Sequence, residues 1–233
     1  QRLLPLPAMS HSVAVFDLDG TLCRSAALDT AGLVAATREV WGIDLDTDWG
    51  SYADVSDEGI ARESFTRFRG RPPTAPELRE LRDALAGRIE ASLTERPAAC
   101  EPVPGARAAI DALRQVGWCV VVATGCWARS AEAKLRHAGL GELSVFGSDG
   151  RPRRVDIVRA ALASVGPTEG QVLVGDALWD AATARALGLP FVGIADGATA
   201  EALHRAGAFR VLRDYTEGSV PELFGAALAG FQR

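Results

Sequence analysis

A strand-length apolar run, Val13-Ala14-Val15-Phe16, ends in Asp17-Leu18-Asp19-Gly20-Thr21, and the next strong run of that kind is Trp118-Cys119-Val120-Val121-Val122-Ala123. A strand-helix-strand unit needs only about 30 residues, so a gap of about 100 between two strands implies a separately folded insert. The gap has helical periodicity. Leu28, Leu33, Val34 and Ala35 suit one helix face before Gly42. A second helix is expected from Asp57 as N-cap through Ile60 and Phe65, and a third from Pro76 through Leu78, Leu81, Leu85 and Ile89 to Leu93. After the breaks at Pro97, Pro102 and Pro104, helix patterns at 106–116, 130–138, 155–165 and 181–187 alternate with strand patterns at 118–123, 143–146, 171–174, 190–194 and 209–212. The expected fold is α/β. A Rossmann-like parallel sheet flanked by helices is made from residues 1–23 and 99–233, and an α-helical cap over 24–98 is inserted into it.

Composition narrows the functional classes. Of 233 residues, 48% are hydrophobic and 24% charged, which suits a globular chain able to bury a sizeable core. A formal charge of −5 argues against a nucleic-acid partner. The apolar opening, residues 1–8, is too short and too broken by Pro5 and Pro7 for a membrane span and reads as a loose leader. Cys23, Cys100, Cys119 and Cys126 show no metal-ligand spacing, so they read as reduced fillers in a cytoplasmic protein. His11, His137 and His204 fall outside every motif. Trp41, Trp49, Trp118 and Trp127 are expected to pack, with Trp179 beside the site.

Chemistry gathers at the carboxyl ends of the expected strands, where open α/β sheets place their ligands. Alternation along a strand sets Asp17 and Asp19 on one side, at its end. Thr124-Gly125 follows the second strand and offers a hydroxyl and a backbone N–H to an anion. Asp176 and Asp180 follow the strand at 171–174, and Arg151, Arg153 and Arg154 precede the helix before it. Four carboxylates at one edge repel unless a cation joins them, and an all-oxygen set favours a hard ion such as Mg²⁺. Magnesium with arginine suits a phosphoryl group, with one aspartate attacking phosphorus and another moving a proton.

These residues resemble the haloacid dehalogenase superfamily, in its branch with a helical cap after the first strand and most like phosphoglycolate-phosphatase-type enzymes. Asp17-Leu18-Asp19-Gly20-Thr21, Thr124-Gly125 and Gly175-Asp176 with Asp180 match three of its motifs in order. The resemblance implies that Asp17 is the nucleophile, Asp19 the general acid and base, and Thr124 with Gly125 the phosphate holder. It further implies Mg²⁺ bound by the Asp17 carboxylate, the Asp19 backbone carbonyl and Asp176, with Asp180 in support.

The chain departs from the family at the third motif, which usually carries a lysine. Its single lysine, Lys134, falls in the helix after Thr124 and is set aside as misplaced. Arg154, and after it Arg151, are the expected replacements at the phosphate. The implied activity is Mg²⁺-dependent hydrolysis of a small phosphorylated metabolite through an aspartyl-phosphate. A phosphotransferase or sugar-phosphate mutase, and a non-catalytic phospho-aspartate regulatory module, stay open. Around a turn of the cap, Tyr52, Asp57 and Arg62 are candidates for choosing the substrate.

Overall fold

The computed structural model describes residues 11–231, so the expected leader at 1–8 lies outside the described residues. Strand β1 (His11–Phe16) lies at the heart of a six-stranded sheet. It pairs in parallel with β4 (Cys119–Ala123) on one side and β6 (Thr168–Gly175) on the other. Beyond β4 lies β5 (Ser144–Phe146); beyond β6 lie β7 (Phe191–Ile194) and β8 (Arg210–Leu212), giving the order β5-β4-β1-β6-β7-β8. Every pairing in this sheet is parallel. Apolar runs without polar alternation are what such a sheet requires, because helices cover both faces.

The period of two divides each strand between two cores. Ala14 and Phe16 share one with Val120, Val122, Val172 and Val174; Val13 and Val15 share the other with Val121, Ala123 and Leu173. Helices α4 (Ala106–Gln115) and α9 (Val220–Phe231) cover the first face. Helices α6 (Arg154–Val165), α7 (Leu178–Leu187) and α8 (Gly197–Arg205) cover the second. Helix α5 (Ala128–His137) leaves β4 and packs beside β5.

Between β1 and α4 run three helices: α1 (Ala26–Trp41), α2 (Asp57–Arg69) and α3 (Ala75–Glu95). A two-residue antiparallel ribbon, β2 (Cys23–Arg24) with β3 (Glu101–Pro102), brings the start and end of this segment side by side. Helix α3 packs on α1 and also on α5, so the segment rests on the sheet domain. Its start is well capped: Thr74 accepts the Glu77 N–H while Glu77 accepts the Thr74 N–H, a reciprocal box.

The elements differ from expectation at their edges. Asp57 is the first residue of α2, and Ser56 caps it by accepting the Gly59 N–H at 3.1 Å. Strand β6 starts at Thr168, three residues early, because Thr168, Glu169 and Gly170 carry no apolar signal. The ribbon β2–β3 and helices α8 and α9 were not anticipated. The ribbon is too short for a period to register, and alanine and glycine blur the helical stripes of α8 and α9.

Candidate active site

The backbone assembles the acidic edge. The Asp17 N–H bonds the Val174 carbonyl at 2.9 Å, continuing the β1–β6 ladder to its last rung. The chain then turns sharply: Leu22 and Cys23 both donate to the Leu18 carbonyl, and Gly20 takes a φ of +85°. A Cβ on Gly20 would lie 2.1 Å from Asp176 Oδ2, so the missing side chain makes room for that carboxylate. The Asp17, Asp176 and Asp180 carboxylates converge, with ligand oxygens within 4.8 Å of one another. Asp180 is fixed by the Ala177 N–H at 3.1 Å.

Arg154 completes this group. Its Nη1 lies 2.8 Å from Asp180 and 3.3 Å from Asp17, its Nε donates to the Val55 carbonyl at 2.7 Å, and its guanidinium sits over the Trp179 ring. Thr124 and Gly125 adjoin it, and a Cβ on Gly125 would fall 2.7 Å from Arg154 Nη2. Arg151 does not join. It is exposed and reaches only the Asp149 carbonyl, because Pro152 and Arg153 carry the chain past the site before α6 begins. Arg153 is bound to Asp156 on the surface.

Crowding shows in the acids. Burial, then the neighbouring Asp180 charge, push Asp17 well above the usual carboxylate range, with Arg154 opposing. Burial and Asp180 push Asp176 up to about 7. Such a set of mutually repelling carboxylates fits a hard, oxygen-preferring cation, which would relieve the repulsion that raises them.

Asp19 faces another way, into a second cluster. Lys134 Nζ lies 2.7 and 2.6 Å from its two oxygens and 2.7 Å from Asp29, with Cys126 Sγ 3.1 Å away. The Cys126 thiol and the Ser25 hydroxyl donate to Asp19 at 2.8 and 2.5 Å. Burial disfavours the Asp19 carboxylate, yet Lys134 and the two side-chain donors outweigh it and hold Asp19 below its ordinary range. Asp29 offers Lys134 one oxygen where Asp19 offers two, and burial keeps it above the ordinary range.

Three expectations are thereby corrected. Lys134 is no bystander: it lies on the buried stripe of α5 with Ala131 and Leu135, and its ammonium reaches the site from behind. A lone lysine at apolar spacing was the available signal. Cys126 is no inert filler, since it touches Asp19 and lines the cavity. Trp49 likewise lines the cavity instead of only packing.

The insert supplies the roof. Asp57 donates its N–H to the Gly125 carbonyl and accepts the Trp127 N–H, both at 2.8 Å. Glu58, fully buried, accepts from Trp127 Nε1, Gly150 N–H, Arg62 and Arg82. Of the three cap candidates, Asp57 faces the cavity. Tyr52 instead donates to the Asp46 carbonyl, and Arg62 is held by Glu58. The cavity holds about 400 Å³, a volume that admits a small metabolite.

Known proteins identify the family. A family model described as haloacid dehalogenase-like hydrolase matches residues 11–188. A phosphoglycolate phosphatase of Cereibacter sphaeroides is 32% identical over 193 residues, covering 78% of this chain and 84% of its own. One from Rhodospirillum rubrum is 32% identical over 228 residues, covering 86% of each. Among solved structures, CbbY from Rhodobacter sphaeroides in complex with phosphate has a TM-score of 0.67 at 23% identity, covering 90% of this chain and 96% of that one. A hydrolase from Pseudomonas syringae has a TM-score of 0.67 at 24% identity, covering 87% and 94%. Matched along most of its length by both family model and relatives, the chain belongs to the haloacid dehalogenase-like hydrolases.

Proposed function

We propose that this phosphatase hydrolyses a small phosphomonoester through an aspartyl-phosphate on Asp17, with Mg²⁺ as its cofactor. The observation that carries this reading is the convergence of the Asp17, Asp176 and Asp180 carboxylates with one guanidinium, Arg154, at the floor of a cavity. An Asp17 oxygen attacks phosphorus in line, the ester P–O bond breaks, and the leaving alkoxide takes a proton from Asp19. A water then attacks the phosphorus of the acyl phosphate, giving its proton to Asp19 and releasing phosphate and the Asp17 carboxylate. Arg154, the Thr124 hydroxyl and the Gly125 N–H hold the phosphoryl oxygens. The Asp17 and Asp176 carboxylates and the Asp19 backbone carbonyl would hold Mg²⁺, with Asp180 in support, and the ion would neutralise phosphoryl charge.

The ion pair with Lys134 at 2.6 Å favours the carboxylate form of Asp19, the form that accepts the proton of water. As the acid it must turn one oxygen from Lys134 toward the leaving group. The helical segment over 24–98 acts as a cap that keeps bulk water from the acyl phosphate. The names of the curated relatives make 2-phosphoglycolate the first compound to assay. Phosphate release from p-nitrophenyl phosphate is expected to need Mg²⁺, to stop with EDTA, and to vanish in Asp17→Asn. Arg154→Ala should slow it about 10²-fold, the scale of losing one charged phosphoryl donor. Release that persists in Asp17→Asn would exclude Asp17 as nucleophile.

A further inference from the structure

The cavity divides by chemistry. Asp17, Thr124, Gly125, Arg154 and Asp176 form its floor, where the phosphoryl group is bound. Much of the remaining lining is apolar: Leu33, Trp49, Val55 and Ile60 from the insert and Leu178 and Trp179 from the start of α7. Asp29 and Asp57 also line it, but Asp29 is paired with Lys134 and Asp57 accepts the Trp127 N–H. Among the described residues that line the cavity, Arg154 is the one basic side chain, and it is already shared between Asp17 and Asp180. Lys134 is not available from above: it is fully buried behind Asp19 and Asp29, which take up its charge.

We propose that the leaving group of the natural substrate is uncharged and largely apolar, and that the cavity discriminates against phosphomonoesters carrying a carboxylate or a second phosphate. This rests on the phosphatase reading above and narrows it. An anionic leaving group entering the cavity sheds its water and meets no cation there beyond Arg154, which the phosphoryl group takes up. An uncharged one loses little on desolvation and gains by covering Leu33, Trp49 and Ile60. Arg62 and Arg82, the nearby cationic side chains of the insert, do not supply the missing charge, because both are drawn to Glu58 on the core-facing side of α2.

The test uses the wild-type enzyme with saturating Mg²⁺ and substrate pairs matched in size but not in charge. One pair is 2-phosphoglycolamide with 2-phosphoglycolate; the other is phenyl phosphate with 4-carboxyphenyl phosphate. In both pairs kcat/KM is expected to favour the uncharged member by at least about tenfold, the low end of what pocket contacts discriminate. Turnover of either carboxylate within that margin, or better than its neutral partner, overturns the inference while leaving the phosphatase reading intact. Phosphate release from none of the four, nor from p-nitrophenyl phosphate, overturns both.

Discussion

Two cations govern this site, and each is tied to a different aspartate. Arg154 neutralises the side where Asp17 meets Asp176 and Asp180, while Lys134 neutralises Asp19 and Asp29 from the opposite side. An ammonium with no exposure can be tolerated only when its charge is matched, and burial is outweighed here by the two carboxylates, which keep it charged. Lys134→Met therefore leaves two largely buried carboxylates unpaired. It is expected to destabilise the fold by about 3–5 kcal/mol, measured by urea unfolding. Because Lys134 also holds Asp19 down, the acidic limb of the kcat/KM profile should move to higher pH in that variant. A stability loss with an unmoved limb would show Lys134 to be structural only.

At the scale of the element, the turn after β1 does more than reverse the chain. Gly20 holds a left-handed backbone, and the space its side chain would fill belongs to Asp176 from the end of β6. Gly20→Ala should cost about 1–2 kcal/mol from the backbone alone, with the displacement of Asp176 in addition. Displacement predicts a specific defect: the Mg²⁺ concentration for half-maximal activity rises. An unchanged Mg²⁺ requirement would mean that Asp176 finds its place without that gap. Helix α1 shows a similar economy, since Ser25 stands at its N-cap but gives its hydroxyl to Asp19 instead of the helix.

At the scale of the whole molecule, insert and sheet domain are joined by polar groups at the rim of the cavity. Asp57 bonds Gly125 and Trp127, Glu58 bonds Trp127 and Gly150, and Arg154 bonds Val55. Burial, then the nearby Asp29, raise Asp57 well above the ordinary carboxylate range. The folded chain then holds a proton that the unfolded chain has lost. The stability this contributes is full below about pH 4, the usual aspartate value, and is lost as pH rises toward the raised one. The melting temperature of Asp57→Asn relative to wild type should accordingly increase between about pH 4 and pH 8. A constant difference would show that Asp57 does not carry the proton. Glu77 has the opposite sign: its bonds to Arg71 and Thr74 hold it down to about 2.

The parallel sheet and the positions of Asp17, Asp19, Thr124, Asp176 and Asp180 at strand ends were legible in the sequence for a physical reason. A strand covered on both faces must be apolar throughout, so the point where polarity returns marks its end, and ligands of such sheets gather there. The long gap between the first two strands likewise announced helices that the sheet itself does not need. Lys134, Cys126 and Asp29 were not legible as partners of Asp19. They come from α5, the loop after β4, and α1, and only packing brings them within 3.5 Å of one another. Arg154 over Arg151 was likewise decided by where α6 begins. By itself the sequence determined the strands and the acids at their ends, because local period and polarity encode both. The tertiary structure alone decided which cation meets which acid and which side chains line the cavity, because those depend on distances between segments that local pattern does not carry.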